Sequence, residues 1–178
     1  MGIEGFEPIE TESERWVVWK VHFTLGTCLL CALKNEKICG RDELLKTSLP
    51  IHPNCHCTLE ALGAILAGTA TIDKLYGADY NLKQNGGLPG NYIDKGTAKR
   101  MGWNPLKGNL REKIPNAMIG GNVFANKNKR LPEMAGRIWY EADINYTGGF
   151  RNEHRILYSN DGIIFVTYDH YTTFYEIR

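Results

Sequence analysis

The sequence predicts an α+β domain in which helices come first and a sheet comes last. Helical patterns occupy residues 72–84 and 94–102. The first is followed by Asn85-Gly86-Gly87 and the second ends at Gly102, and glycine readily stops a helix. Beyond residue 137 the chain changes to short segments rich in β-branched and aromatic residues. These segments are 138–146, 155–159, 162–168 and 171–177. The order predicts N-terminal helices packed on one side of a C-terminal antiparallel β-sheet.

The segments before residue 68 predict smaller pieces of structure. Residues 1–15 are acidic and predict a flexible lead-in. The run from Trp16 to Phe23 has the β-branched and aromatic content of a strand. Thr27 to Cys31 predicts a knuckle or helical turn, and residues 50–57 predict a rigid loop because two prolines fix φ there. Thr58 to Ala67 predicts a short helix.

Length and charge suggest how these pieces are grouped. A chain of 178 residues has room for one medium domain and a small module. We expect the lead-in at 1–15, a small module at 16–66 and a larger domain at 70–178. Residues 1–66 carry six Lys and Arg against nine Asp and Glu, whereas residues 67–178 carry fifteen against eleven. The basic C-terminal part suits a polyanionic partner.

Hydropathy and the first residues bear on localisation. The sequence has no run of 18 apolar residues, so we expect no membrane span and no membrane partner. The acidic N-terminus lacks the basic segment of a signal peptide, so we expect no leader of its own in this chain.

The cysteines predict a metal site. All five lie between Cys28 and Cys57, and an odd, clustered count favours a metal site over a disulfide framework. A CxxC pair followed about 24 residues later by a second Cys/His cluster is typical of tetrahedral zinc. The alternatives are reduced thiols in a small apolar core, or disulfides. The candidate ligands are Cys28, Cys31, Cys55 and Cys57, with His52 or Cys39 as substitutes.

The same segment also resembles a phage family. The CxxC pair, a Cys-Gly dipeptide and the run HPNCHCTL are similar to the tail of phage head-morphogenesis proteins related to the Mu minor head protein. His56 departs from that pattern, because the family usually carries an arginine there. The resemblance implies a zinc-knuckle-like structural module in a piece or descendant of a phage-associated toxin, with phage head or portal components as partners.

Gly136 to Arg155 concentrates charges around one predicted turn. Period-2 alternation places Glu141 and Asp143 on the same face of a strand. If the next strand returns as a hairpin, Arg151 and Arg155 meet these carboxylates across the pair. Taken alone, the pattern predicts cross-strand salt bridges on a solvated face.

Many spaced segments of the C-terminal part match one enzyme family. ADINYT, GFRN, RILYS and TYDHYTTF follow one another in order, and LPGNYIDK, GW, KGNL, IGGNVF and KRLPEMAGRIW precede them. From Ala70 to Arg178 the chain resembles the microbial guanyl-preferring ribonucleases of the barnase type. The resemblance implies the microbial ribonuclease fold and a metal-independent endoribonuclease. Such an enzyme cleaves single-stranded RNA through attack by the 2′-OH, which leaves a 2′,3′-cyclic phosphate.

The resemblance also assigns the catalytic residues. Glu141 matches the general base, and a glutamate beside two arginines stays ionised at neutral pH. His170 matches the general acid, because histidine titrates near neutrality. Arg151 and Arg155 match the phosphate-binding arginines and Lys95 the catalytic lysine, whose charges favour a dianionic transition state. Asp143 is expected to orient the arginines.

The resemblance also implies a loop, at residues 124–128, that recognises the base of the substrate. Asn128 stands where the family carries a glutamate that pairs with the guanine edge, and Asn122 replaces a family aspartate. Losing one charge-assisted contact predicts weaker guanine discrimination, by about 1–2 kcal/mol. Tyr171 is expected to stack on a base or close the pocket. The loop residues that match the family are Phe124, Ala125, Asn126, Lys127 and Asn128.

Three functions compete on this sequence. The first is an endoribonuclease toxin, secreted or delivered by a phage or effector, that acts on cytoplasmic RNA and is held in check by a small acidic inhibitor or immunity protein. The second is a phage head-associated structural protein with a non-catalytic RNA-binding domain. The third is a zinc-stabilised RNA-binding module without turnover. The complete set of matched catalytic residues favours the first.

Overall fold

The chain forms two compact units. The computed structural model describes residues 6–44 and 49–178. Unit 1 comprises Met1–Thr11, Ala64–Ala125 and Arg137–Arg178, and unit 2 comprises Glu12–Gly63 and Asn126–Gly136. The predicted division at residues 15, 66 and 70 stays a prediction. The structure adds that residues 126–136 group with the N-terminal part of the chain.

The described elements are mostly short. Strands are β1 (Glu10–Val21), β2 (Ile38–Gly40), β3 (Cys57–Ile65), β4 (Tyr92–Ile93), β5 (Met118–Phe124), β6 (Trp139–Asp143), β7 (Arg155–Ser159), β8 (Ile164–Thr167) and β9 (Tyr175–Ile177). Helices are α1 (Leu29–Ala32), α2 (Arg41–Leu44), α3 (Ala78–Asn85), α4 (Lys95–Arg100) and α5 (Leu110–Lys113), with a 3₁₀ turn at Lys74–Tyr76. Among the described residues, none of these helices is long and apolar enough to cross a bilayer.

Unit 1 is an α+β domain built on a mixed sheet. Its strands lie in the order β9-β8-β7-β6-β5-β4. From β5 to β9 each neighbouring pair is antiparallel, whereas β4 pairs with β5 in parallel. The predicted α+β class is therefore confirmed, but the prediction of an antiparallel sheet is wrong at this edge. The chain between β4 and β5 contains α4 and α5, and a parallel pair requires such a crossover.

The two faces of the sheet have different chemistry. On one face Ala142, Ile156 and Val166 pack with Leu82 of α3 into a buried core. On the other face Glu141 lies opposite Leu157 and Asp143 lies opposite Arg155. The alternation and the hairpin predicted from the sequence are both present, so the charged side chains of β6 and β7 share the face opposite α3. The prediction of a solvated face is wrong, because Glu141, Asp143 and Arg155 are buried.

A second core fixes the helices beside β5. Ala98 of α4, Trp103 and Leu110 of α5 pack against Ile119. Asp94 is the N-cap of α4, and its Oδ1 accepts hydrogen bonds from the backbone amides of residues 96 and 97, at 2.8 and 2.9 Å. The predicted helix at 94–102 is therefore present, with its predicted cap.

Three predictions about local structure need correction. The helix predicted for 58–67 is wrong, because Cys57–Ile65 is a strand. Alanine and leucine have high helix propensities, but each contributes less than about 1 kcal/mol, and pairing in a sheet overrides that preference. The lead-in predicted for 1–15 is a strand from Glu10 onward, and residues 1–5 lie outside the described residues. The helix predicted for 72–84 is divided at Gly77 into the 3₁₀ turn and α3.

In unit 2, residues 126–136 are bound to the N-terminal strands. Strands β1 and β2 pair antiparallel, with Val18 opposite Ile38. The Ile38 amide donates to the Arg130 carbonyl at 2.8 Å. The Arg130 side chain lies 3.3 Å from Glu36, which also forms an ion pair with Lys20 at 2.8 Å. This segment therefore packs on residues that precede the ribonuclease-like part of the chain.

Candidate active site

Glu141 is the centre of a polar cluster on the face of the unit 1 sheet that lies opposite α3. Its position on β6 points it away from the α3 core, and its side chain is largely buried, with 8% of the residue exposed. One carboxylate oxygen accepts a hydrogen bond from Lys95 Nζ, and the other accepts one from the Tyr171 hydroxyl at 2.6 Å. The carboxylate is thus held by two donors from outside its own strand.

These donors keep Glu141 ionised. Burial by itself raises the pKa of the Glu141 carboxyl. Hydrogen bonds from Lys95 and Tyr171, together with the charges of Lys95 and Arg151, outweigh burial and hold that pKa below its ordinary value. The side chain is therefore a carboxylate at neutral pH, able to accept a proton.

Asn122 positions Lys95, a role that sequence reasoning missed. The register of β5 shifts between Gly120 and Asn122, and this bulge places Asn122 opposite Glu141. Gly121 has a φ of 82°, which favours glycine and suits a bulge. The Asn122 Oδ1 then accepts a hydrogen bond of 3.0 Å from the backbone amide of Lys95. The asparagine in the matched segment IGGNVF was the available signal, but its partner lies 27 residues away.

Asp143 holds both arginines of the cluster. The carboxylate is buried, with 1% of the residue exposed, and Arg151 binds it through two hydrogen bonds of 2.6 and 2.5 Å. Arg155 Nε lies 3.1 Å from the same carboxylate, and its Nη1 donates to the backbone carbonyls of Asn152 and His154 at 2.7 Å. Arg155 is buried, whereas Arg151 is half-buried, so Arg151 is the arginine more available to a ligand.

His170 and Tyr171 lie on the loop between β8 and β9. Both adopt left-handed backbone conformations, with φ values of 53° and 71°. Asp169 fixes the loop, because its Oδ1 accepts hydrogen bonds from Thr167 Oγ1 and from the amides of Thr172 and Thr173, at 2.8–3.1 Å. The exposed His170 ring lies 4.8 Å from the Tyr171 ring, measured between centroids. Tyr171 therefore contacts both residues predicted for proton transfer.

Some of the predicted base-recognition residues are packed against the protein, and the others are exposed to solvent. Phe124 stacks on Tyr171 with 5.2 Å between ring centroids. Asn126 is buried and bound to Leu131, since its Nδ2 donates to the Leu131 carbonyl at 2.9 Å and its Oδ1 accepts from the Leu131 amide at 3.1 Å. The Asn126 side chain therefore shapes the loop. The exposed residues of the loop are Ala125, Lys127 and Asn128.

The predicted metal ligands come together in unit 2. Cys28, Cys31 and His52 form one group, and Cys31, Cys55 and Cys57 form another, with the ligand atoms of each group within 4.8 Å of one another. Within the part of the chain that the structure describes, Cys39 joins neither group. The residues could therefore hold a metal ion.

The fold is that of a small α+β domain, and its polar cluster, a carboxylate bound by a lysine and a tyrosine beside two arginines on a second carboxylate, suits an enzyme that acts on a phosphate ester. The family model described as ribonuclease matches residues 77–178, and the chain belongs to this ribonuclease family, which is of the barnase type. The chain is accordingly an endoribonuclease.

Curated relatives agree with this membership. The ribonuclease of Heyndrickxia coagulans is 52% identical over 101 residues, which cover 57% of this chain and 92% of that protein. The ribonucleases of Bacillus intermedius and Bacillus pumilus are also 52% identical over 101 residues, which cover 57% of this chain and 62% of each relative. The resemblance found in the C-terminal part of the sequence is thus confirmed. The phage-head resemblance of the Cys-rich segment stays a prediction.

Proposed function

We propose that this endoribonuclease cleaves single-stranded RNA by internal transesterification, with Glu141 as general base and His170 as general acid. Glu141 removes the proton of the 2′-OH, and the 2′-oxygen attacks the adjacent phosphorus. His170, entering as imidazolium, donates its proton to the departing 5′-oxygen. The products are a 2′,3′-cyclic phosphate end and a free 5′-hydroxyl. The requirement for a 2′-OH makes RNA the substrate and excludes DNA.

The contact of Tyr171 with both Glu141 and His170 is the observation that carries this proposal. A base and an acid must flank one phosphodiester, and a shared neighbour keeps the two side chains at the same end of the sheet. The exposed His170 can reach a substrate that approaches the cluster around Glu141.

The three cations stabilise the phosphoryl group as it gains negative charge in the transition state. Arg151 and Arg155 share Asp143, so their guanidinium groups are oriented before substrate binds. Lys95 is bound to Glu141 in the free enzyme. When Lys95 turns to the substrate phosphate, Glu141 loses a donor and becomes a stronger base. No metal ion is needed in this scheme, because these side chains supply the positive charge.

We further propose a relaxed preference for guanine. Asn128 is exposed and offers one neutral acceptor in place of a carboxylate. Stacking of the base on Phe124 and Tyr171 is sequence-tolerant, since every base has an aromatic face.

A toxin role with a protein inhibitor follows from the activity. An endoribonuclease that meets its producer's RNA would be harmful, and the basic balance of residues 67–178 suits a small acidic inhibitor over the site. Delivery by a phage or an effector system would bring the enzyme to cytoplasmic RNA. The N-terminal resemblance favours a phage-associated route.

The test is cleavage of a GpN dinucleotide and of bulk RNA by the full chain in the presence of EDTA. We expect turnover and a 2′,3′-cyclic phosphate product detected by mass spectrometry. Loss of all activity under chelation, with the sheet of unit 1 still folded by circular dichroism, would contradict metal-independent catalysis. RNA binding without turnover would favour the phage head-associated alternative.

A further inference from the structure

We infer that Cys28, Cys31, His52 and Cys55 bind one zinc ion that stabilises unit 2. The site is separate from the ribonuclease chemistry, since its four side chains belong to a segment that the ribonuclease family model does not cover. The ion joins the turn at α1 to the loop that precedes β3.

Three of these side chains already surround one point, and Cys31 connects them to the fourth. His52 Nε2 lies 3.1 Å from Cys28 Sγ and 3.0 Å from Cys31 Sγ, and Cys31 Sγ lies 3.9 Å from Cys55 Sγ. Ligand atoms around tetrahedral zinc lie about 3.5–3.8 Å apart, given Zn–S and Zn–N bonds of about 2.3 and 2.0 Å. Cys55 belongs to the neighbouring group with Cys31 and Cys57, so its side chain must move toward Cys28 and His52 to complete the tetrahedron.

The orientation of His52 is an independent observation that points to a metal. Its Nδ1 lies 2.7 Å from the Pro53 carbonyl oxygen, which can only accept a hydrogen bond. Nδ1 therefore carries the proton, and Nε2 keeps its lone pair. That lone pair faces the sulfur atoms of Cys28 and Cys31. A backbone carbonyl that fixes the tautomer in this way is a common second partner of metal-binding histidines.

The CxxC segment has the geometry of a thiolate ligand pair. Cys28 is the N-cap of α1, and its Sγ accepts a hydrogen bond of 3.4 Å from the Cys31 amide. A thiolate is the stronger acceptor for such an amide, and the thiolate is also the form that binds a metal. The turn thus holds Cys28 and Cys31 ready on one side of the site.

The donor set selects zinc and a structural role. Soft thiolates with an imidazole favour zinc over magnesium or calcium, which require oxygen ligands. Three cysteines and one histidine also close the tetrahedron, so no position is left for a reacting water. His52 contacts both members of the CxxC pair, whereas Cys55 and Cys57 share only the second group with Cys31. Of these two, Cys55 has its Sγ 3.9 Å from Cys31 Sγ, and we assign it as the remaining cysteine ligand. We therefore assign His52 as the fourth ligand.

Metal analysis of the full chain tests the site. After purification without added metal, mass spectrometry of the dissolved protein is expected to find about one zinc per chain, as a closed four-ligand site requires. Cys31→Ser and His52→Ala should lose most of this zinc. Cys39→Ser is the matched control and should keep it, because Cys39 stands outside both groups.

A second measurement covers variants that fail to fold. Bound metal is removed from the chain with a strong chelator, and the chain is then titrated with Co²⁺. Cobalt occupies the site of zinc, and its absorption spectrum shows which ligands bind it. Intense visible bands with a thiolate-to-metal band in the near ultraviolet, saturating at about one equivalent, are expected for a tetrahedral thiolate site. A chain with neither zinc nor this cobalt spectrum would overturn the inference. Zinc lost from Cys57→Ser but retained by His52→Ala would overturn the ligand assignment. These readouts do not depend on RNA cleavage.

Discussion

Tyr171 donates a hydrogen bond of 2.6 Å to Glu141 while its ring lies against His170. The hydroxyl is one of the groups that hold the pKa of Glu141 below its ordinary value. Removing that donor destabilises the ionised carboxylate, so the pKa of Glu141 must rise. The tyrosine therefore links the ionisation of the proposed base to the position of the proposed acid.

We predict that Tyr171→Phe moves the acid limb of the pH profile of kcat/KM to higher pH. Below neutrality a larger share of Glu141 is then protonated and unable to act as a base, so activity falls most at acid pH. Profiles of GpN cleavage from acid to neutral pH measure the shift. Tyr76→Phe is the control, because Tyr76 is exposed. An unchanged acid limb would show that Tyr171 does not control the ionisation of Glu141.

Glu141→Gln and His170→Ala should each lower kcat by at least about 100-fold, since general acid–base catalysis contributes about 10²–10⁴ in rate. Binding of a non-cleavable RNA analogue should change little. The controls are Glu60→Gln and His22→Ala, which make comparable changes at exposed positions in unit 2. Rates near wild type in either active-site variant would show that the assigned role is wrong.

Asp143→Asn should destabilise unit 1 and reduce activity together. Asp143 is buried against two arginines, and breaking a buried ion pair costs about 3–5 kcal/mol. Hydrogen exchange of the β6 and β7 amides measures this loss. Glu112→Gln is the control, because Glu112 is exposed and pairs with exposed Lys113 at 2.7 Å. A surface pair of this kind is worth about 0–1 kcal/mol. Equal effects of the two substitutions would contradict a special role for Asp143.

Asn128→Glu should sharpen the preference for guanine. The new carboxylate restores the charged acceptor that the resemblance places at this position, and one such contact is worth about 1–2 kcal/mol, or roughly tenfold in relative kcat/KM. Rates on GpN and ApN dinucleotides give the ratio. Asn85→Glu adds the same charge at an exposed position outside the loop and should leave the ratio unchanged. A ratio that stays at the wild-type value in Asn128→Glu would place guanine recognition elsewhere.

Local patterns predicted the parts of this structure that depend on neighbours in sequence. The alternation along β6 predicted correctly that Glu141 and Asp143 lie on the same face of the strand. Asp94 predicted correctly where α4 begins. The strand at Cys57–Ile65 was mistaken for a helix, because its alanines and leucines suit either structure until a partner strand is known.

Contacts between distant segments could not be predicted from these patterns. The hydrogen bond from Lys95 to Asn122 spans 27 residues, and the one from Tyr171 to Glu141 spans 30. Which side chains meet there depends on the bulge in β5 and on the left-handed turn at His170, and neither has a distinctive local signal. The proposed catalytic residues were assigned instead through the resemblance of many spaced segments, and that assignment stays a prediction.

The attachment of residues 126–136 to Glu36 and Ile38 has a practical consequence for protein engineering. A shortened enzyme that starts near residue 70 would match the length of the family but would lack both partners. Arg130 would lose its bonds to Glu36 and Ile38, and the neighbouring base-recognition residues Asn126, Lys127 and Asn128 would be held less firmly. Trimming the chain to its ribonuclease portion is thus expected to alter base selection before it alters the bond-breaking step.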